Sequence, residues 1–142
     1  MNNDLSRRVL TWIFRIYGAS ACFALIFVAA PHEWMRAIHS WAELGVMPDT
    51  PVVWYLARST SMFYAIFGGL YLLASLDIDR YFSLVIYLGV ATTVLGLVLF
   101  VVDFVEGMPA SWTWSEGPVV VVSGIVMLYL TSQLTRRTGS LT

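Results

Sequence analysis

Arg58 is the residue of this sequence whose position most requires a partner or a ligand. It lies nearly two turns inside an apolar stretch and is followed by Ser61 and Tyr64. An arginine at the centre of a membrane helix costs about 2.5–3.5 kcal/mol on insertion scales, so a compensating group is expected. A guanidinium beside hydroxyl groups could bind a small anionic or quinone-like ligand, or it could form a structural ion pair.

Acidic residues that could pair with Arg58 occur in a later loop. Asp103 is the expected partner, with Glu106 and Glu116 as alternatives, and Trp112 and Trp114 would project to similar sides if this loop is extended. The loop could close over a ligand as a lid, or it could cover the helix ends while Arg58 has a structural role. The candidate ligand site comprises Arg58, Ser61, Tyr64, Asp103, Glu106, Trp112, Trp114 and Glu116.

The residue types give little support for metal binding, thiol–disulfide exchange or Schiff-base chemistry. His39 and Glu43, at positions i and i+4, are the candidate metal pair, but an exposed polar helix face explains them without a metal. The single cysteine, Cys22, excludes a thiol–disulfide oxidoreductase. Lysine is absent, which excludes a Schiff-base cofactor. We therefore expect neither a cofactor nor an enzyme.

Apolar stretches of membrane-spanning length must position these residues. Hydrophobic residues make up 58% of the chain and charged residues only 12%, against about 25% charged in soluble domains. The sequence predicts an all-α integral membrane four-helix bundle, a single domain over residues 1–142. The predicted spans are 9–30, 52–74, 81–102 and 116–134.

The first connection, residues 31–45, is predicted to be a short amphipathic helix at the membrane interface. Trp34, Ile38 and Trp41 recur on one side, and Gly45 is expected to end the helix. All eight basic residues are arginines, and six of them lie at the chain ends or in the second connection. Because short arginine-rich loops stay on the inner side of a membrane, both termini are predicted to be cytoplasmic.

Small residues within the spans predict close helix packing. The pairs are Gly18 with Cys22, Ala65 with Gly69, Gly89 with Thr93, and Thr92 with Gly96. Such spacing lets helix backbones approach closely in lipid. On this basis Gly69 is predicted to face a neighbouring helix.

Several short motifs resemble those of small bacterial membrane proteins. They are Arg58-Ser59, Phe67-Gly68-Gly69-Leu70-Tyr71, Asp79-Arg80-Tyr81, Gly107-Met108-Pro109 and Glu116-Gly117-Pro118. Together they resemble the uncharacterised BphX-like proteins and, more distantly, the DoxX-like proteins, over the last two-thirds of the chain. The resemblance implies a bacterial inner membrane and a four-helix bundle, and it transfers no catalytic residue.

The expected function is therefore that of a non-catalytic membrane protein. It would be an accessory or scaffolding subunit of a membrane complex, or a self-assembling bundle. Its partners would be the lipid bilayer and other membrane subunits or further copies, and the net charge of −1 gives no affinity for nucleic acid. The alternative is binding or transport of a small anionic or quinone- or lipid-like ligand around Arg58.

Overall fold

The computed structural model describes residues 3–135, and the regular secondary structure of that range is all helical. The helices are α1 (Asn3–Phe23), α2 (Leu25–Ala29), α3 (His32–Trp41), α4 (Pro51–Leu76), α5 (Phe82–Val105), α6 (Ala110–Ser115) and α7 (Gly117–Thr135). Four segments are long and apolar enough to cross a membrane: Asp4–Ala29, Pro51–Leu76, Phe82–Val105 and Ala110–Leu134. The predicted all-α class and the predicted number of segments long and apolar enough to span a membrane are confirmed. Arg136 and Arg137 lie outside the described residues.

The chain divides into two compact units. Unit 1 comprises Met1–Arg15 and Leu73–Thr142, and unit 2 comprises Ile16–Leu72. The unit boundaries fall inside the long helices α1 and α4, so each helix contributes residues to both units. That residues 1–142 form a single domain stays a prediction.

Close antiparallel packing of α5 against α7 organises unit 1. A Cβ atom added to Gly96 would lie 2.6 Å from the backbone nitrogen of Val121, and one added to Gly124 would lie 2.5 Å from that of Thr93. These backbones are too close for any side chain between them, which confirms the small-residue prediction for α5. Leu10, Phe14, Val85, Leu88 and Met127 are fully buried.

In unit 2, α1 contacts α4 at Gly18 and Gly68. A Cβ atom on Gly68 would lie 2.7 Å from both the Cys22 backbone nitrogen and the Gly18 carbonyl oxygen. The Cys22 thiol donates to the carbonyl oxygen of Ala65 at 3.6 Å. At Gly69, by contrast, no described atom lies within 4 Å of such a Cβ. The prediction for Gly69 is therefore wrong, because successive helix residues point in different directions and Gly68 is the one that faces α1.

Helix α3 ends four residues before Gly45, the predicted end. The Leu44 N–H donates to the His39 carbonyl at 3.2 Å, and the Glu43 N–H donates to the Ser40 carbonyl at 3.1 Å. This pattern of hydrogen bonds at the helix C-terminus requires a residue in the left-handed backbone conformation. Glu43 is that residue, with φ of 60°. The predicted helix over 31–45 is thus shorter, and a glutamate takes the place that glycine usually fills.

Candidate functional site

Arg58 donates hydrogen bonds to two backbone carbonyl groups of unit 2. Its Nη1 donates to the carbonyl of Val28, and its Nη2 donates to that of Ala30 at 3.1 Å. Both carbonyls lie at the C-terminal end of α2, where helix carbonyls lack partners within the helix. Pro31 follows and has no N–H to offer. Arg58 therefore satisfies carbonyl groups at the end of the first candidate span, where a positive charge is also favourable.

The serine hydroxyl groups that follow Arg58 donate hydrogen bonds to backbone carbonyls of α4. Ser61 donates to the Ala57 carbonyl at 2.7 Å, and Ser59 donates to the Tyr55 carbonyl at 2.8 Å. Tyr64 is 41% exposed and also has an interaction partner. A serine whose single O–H bonds to its own helix has no further donor for a ligand.

The acidic residues of the predicted site all belong to unit 1. Asp103 is only 4% exposed, and its Oδ2 accepts no hydrogen bond from the described residues. Glu116 is partly buried and accepts the indole N–H of Trp112 through Oε2 at 2.6 Å. Glu106 is exposed. Since Arg58 belongs to unit 2, its ion pair with Asp103 stays a prediction.

The segment that carries the two tryptophans is the helix α6, so it is not the extended segment in which they would project to similar sides. Pro109 precedes the helix, and the Thr113 hydroxyl donates to its carbonyl at 3.3 Å. Residues two apart on a helix project about 200° apart. Trp112 accordingly bonds to Glu116, whereas Trp114 is 62% exposed. The two indoles therefore do not form a common surface.

A cluster around Trp54 in unit 2 was not predicted. The His32 imidazole stacks on the Trp54 indole with a centroid distance of 3.9 Å and an interplanar angle of 4°. The indole N–H donates to Asp49 at 2.9 Å, and Asp49 also pairs with Arg36 at 2.9 Å. The Trp54 hydrogen bond, assisted by the Arg36 charge, lowers the pKa of Asp49. The i, i+4 spacing of His32 and Arg36 hinted at a shared face, but nothing in the sequence pointed to Trp54.

The candidate metal pair of His39 and Glu43 loses its geometric basis. Glu43 lies beyond the end of α3 in a left-handed conformation, so the two side chains no longer share a helix face. The His39 Nδ1 atom lies 3.2 Å from the carbonyl oxygen of Gly45. Residues 3–135 contain no group of three or more His, Cys, Asp or Glu side chains that could hold a metal.

Comparison with protein-family models, curated proteins and solved structures finds no match for this chain.

Proposed function

We propose that this chain is a non-catalytic integral membrane protein that serves as an accessory or scaffolding subunit of a membrane complex, or that assembles with copies of itself. The observation that supports this most is the bonding of the polar groups inside the long helices. Their hydroxyls donate to backbone carbonyls of the same helix, at Ser61, Thr92, Thr93, Ser123 and Thr131. Hydroxyl groups bonded in this way have used their only donor within their own helix and are poorly placed to react with a substrate.

The exposed side of α4 around Gly69 is the surface where we propose that a partner helix packs. Gly69 has no described neighbour around its Cβ position. Met62 and Ile66, which precede it by seven and three residues on the same side, are 45% and 50% exposed. In lipid, a small residue on an apolar helix face lets a second backbone approach to van der Waals contact.

Purification in a mild detergent tests this proposal. We expect the wild-type protein to migrate as a defined assembly larger than one 15.9 kDa chain with its detergent. Gly69→Leu should shift the protein toward single chains while its helix content stays unchanged. Val98→Leu, at a position of α5 that is 52% exposed, is the matched control and should assemble normally. A single chain carrying stoichiometric lipid or quinone would contradict the proposal and support the ligand-binding alternative.

We also propose a bacterial inner-membrane location with both termini cytoplasmic and α3 on the outer membrane surface. Helix α3 begins at His32, three residues after the first candidate span ends at Ala29, so it must remain close to the end of that span. Trp34 and Trp41 are 58% and 85% exposed. Tryptophan side chains favour the headgroup region, which fits such a position.

Cysteine labelling tests this orientation. In a Cys22→Ser background, Ser40→Cys and Ser111→Cys should react with an impermeant maleimide on cells with a permeabilised outer membrane. Leu76→Cys, at the other end of α4 and 73% exposed, should react only after lysis. Ser140, a C-terminal position that would test the same side, lies outside the described residues. The reverse labelling pattern would invert the orientation.

A further inference from the structure

Asp103 is a buried acidic residue whose carboxyl group is only partly satisfied. The residue is 4% exposed, and its Oδ2 has less than 1 Å² of accessible surface and no hydrogen-bond partner among the described residues. Removing a carboxylate from water costs several kcal/mol, and such groups are normally paired or bound to a metal. A positively charged group next to the unpartnered oxygen would offset this cost.

The described helices α5, α6 and α7 carry no basic side chain that could pair with Asp103. The sequence from Tyr81 to Thr135 contains no arginine, lysine or histidine. Arg7 is engaged with Asp79 at 2.6 Å, just before α5 begins. At about 1.5 Å of rise per residue, α5 extends about 30 Å from its start to Asp103. The counter-charge is thus absent from this end of the described part of unit 1.

A second carboxyl group, that of Glu116, lies near the same end of α5 as Asp103. A Cβ atom on Gly117 would lie 2.7 Å from the Cβ of Phe100, so α7 begins against α5 at this point. Asp103 follows Phe100 by three residues on the same side of α5, and Glu116 directly precedes Gly117. Asp103 and Glu116 therefore lie at the same end of the contact between α5 and α7.

We propose that Asp103 and Glu116 together bind a hard divalent cation, Ca²⁺ or Mg²⁺. Asp103 contributes the unpartnered Oδ2, and Glu116 contributes Oε1, since Oε2 accepts the Trp112 indole N–H. Both ions prefer oxygen ligands, and Mg²⁺ in particular is often held by one or two carboxylates while it keeps several waters. The cation would offset the negative charge of the two acids and satisfy the buried oxygen.

Thr113, on α6 three residues before Glu116, is the oxygen-bearing side chain that the proposal adds as a further ligand. The residue is 3% exposed, and its hydroxyl donates to the Pro109 carbonyl at 3.3 Å, which leaves the oxygen lone pairs available. Glu106 and Ser111, on either side of this turn, are exposed. The residues of the proposed site therefore lie near the end of α5 and in the segment that joins α5 to α7.

The first test measures the thermal unfolding midpoint of the full-length protein in detergent. We expect about 5 mM CaCl₂ or MgCl₂, well above the weak dissociation constants of sites with few protein ligands, to raise the midpoint by about 3 °C or more relative to EDTA. The larger rise identifies the preferred ion. No rise with either ion would overturn the proposal, and this test needs no variant to fold.

The second test uses Tb³⁺ as a luminescent calcium probe, because Trp112 lies beside Glu116 and can sensitise a bound lanthanide. Asp103→Asn and Glu116→Gln should each weaken Tb³⁺ binding at least about tenfold. The matched controls are Glu106→Gln, the exposed acid of the same turn, and Asp49→Asn, the acid beside Trp54, and both should bind like wild type.

Two outcomes of the second test would overturn the site. Wild-type affinity in Asp103→Asn would mean that the buried carboxyl is not a ligand. An equal loss in Glu106→Gln would mean non-specific binding to surface acids. If Asp103→Asn fails to fold, Tb³⁺ binding by Glu116→Gln alone tests the site, since Glu116 is only partly buried. Neither outcome affects the assembly experiment on Gly69.

Discussion

Replacing Gly68 with alanine is expected to lower the free energy of unfolding by about 2 kcal/mol or more. The new methyl group would lie 2.7 Å from the backbone nitrogen of Cys22 and from the carbonyl oxygen of Gly18. Because both atoms belong to the α1 backbone, relief requires the two helices to separate along their contact. The loss is measured by unfolding in increasing SDS from a mild detergent.

Gly69→Ala is the matched control for Gly68→Ala. The two residues are adjacent and chemically identical, but a Cβ atom on Gly69 meets no described atom within 4 Å. We expect this variant to unfold within about 0.5 kcal/mol of wild type. Equal losses at the two positions, or a loss confined to Gly69, would contradict the packing of α1 against α4 in unit 2.

Arg58→Met is expected to lower the free energy of unfolding by about 3 kcal/mol. The change removes both hydrogen bonds from the guanidinium and leaves the carbonyl groups of Val28 and Ala30 without this donor. Arg58→Lys should recover part of the loss, since one ammonium group lacks the planar fork that reaches both oxygens. The same SDS titration measures all the variants.

Arg15→Met is the control for Arg58→Met. Arg15 is exposed on α1 and lies 5.5 Å from the centroid of the Trp12 ring. Its removal should cost no more than about 0.5–1 kcal/mol. An Arg58→Met variant as stable as the Arg15→Met variant would show that the carbonyl bonds contribute nothing to stability.

A double-mutant cycle decides whether Arg58 also pairs with Asp103. Additive losses for Arg58→Met and Asp103→Asn would assign the guanidinium to the carbonyl groups alone. A coupling energy of about 1 kcal/mol or more would instead establish the ion pair predicted from the sequence. That second result would also supply Asp103 with a counter-charge from the protein, in competition with the proposed cation.

The candidate spans could be predicted because hydropathy and length act over many residues at once. Helix ends depend on single residues and were harder to predict. At the end of α5, Gly107 takes a left-handed conformation with φ of 68°, as glycine commonly does. At the end of α3, Glu43 takes the equivalent conformation, and its residue type gives no sign of it.

Only part of the candidate site could be predicted, because its contacts also depend on single residues and on the backbone. The position of Arg58 correctly indicated that it needs partners, but its partners in unit 2 are backbone carbonyls, which leave no mark on residue types. Spacing alone also could not choose between Gly68 and Gly69, since Ala65 lies about one turn before each of them. The burial of Asp103 depends on packing between helices, which the residue types and their spacing do not reveal.

The bonds from Arg58 to Val28 and Ala30 impose an order on membrane insertion. The chain is synthesised from its N-terminus, so the carbonyl end of α2 enters the bilayer about 30 residues before its arginine donor is made. Unsatisfied carbonyl groups are costly in lipid. The first span therefore reaches its lowest energy only when the second has arrived, and we expect the translocation machinery to release the two as one hairpin.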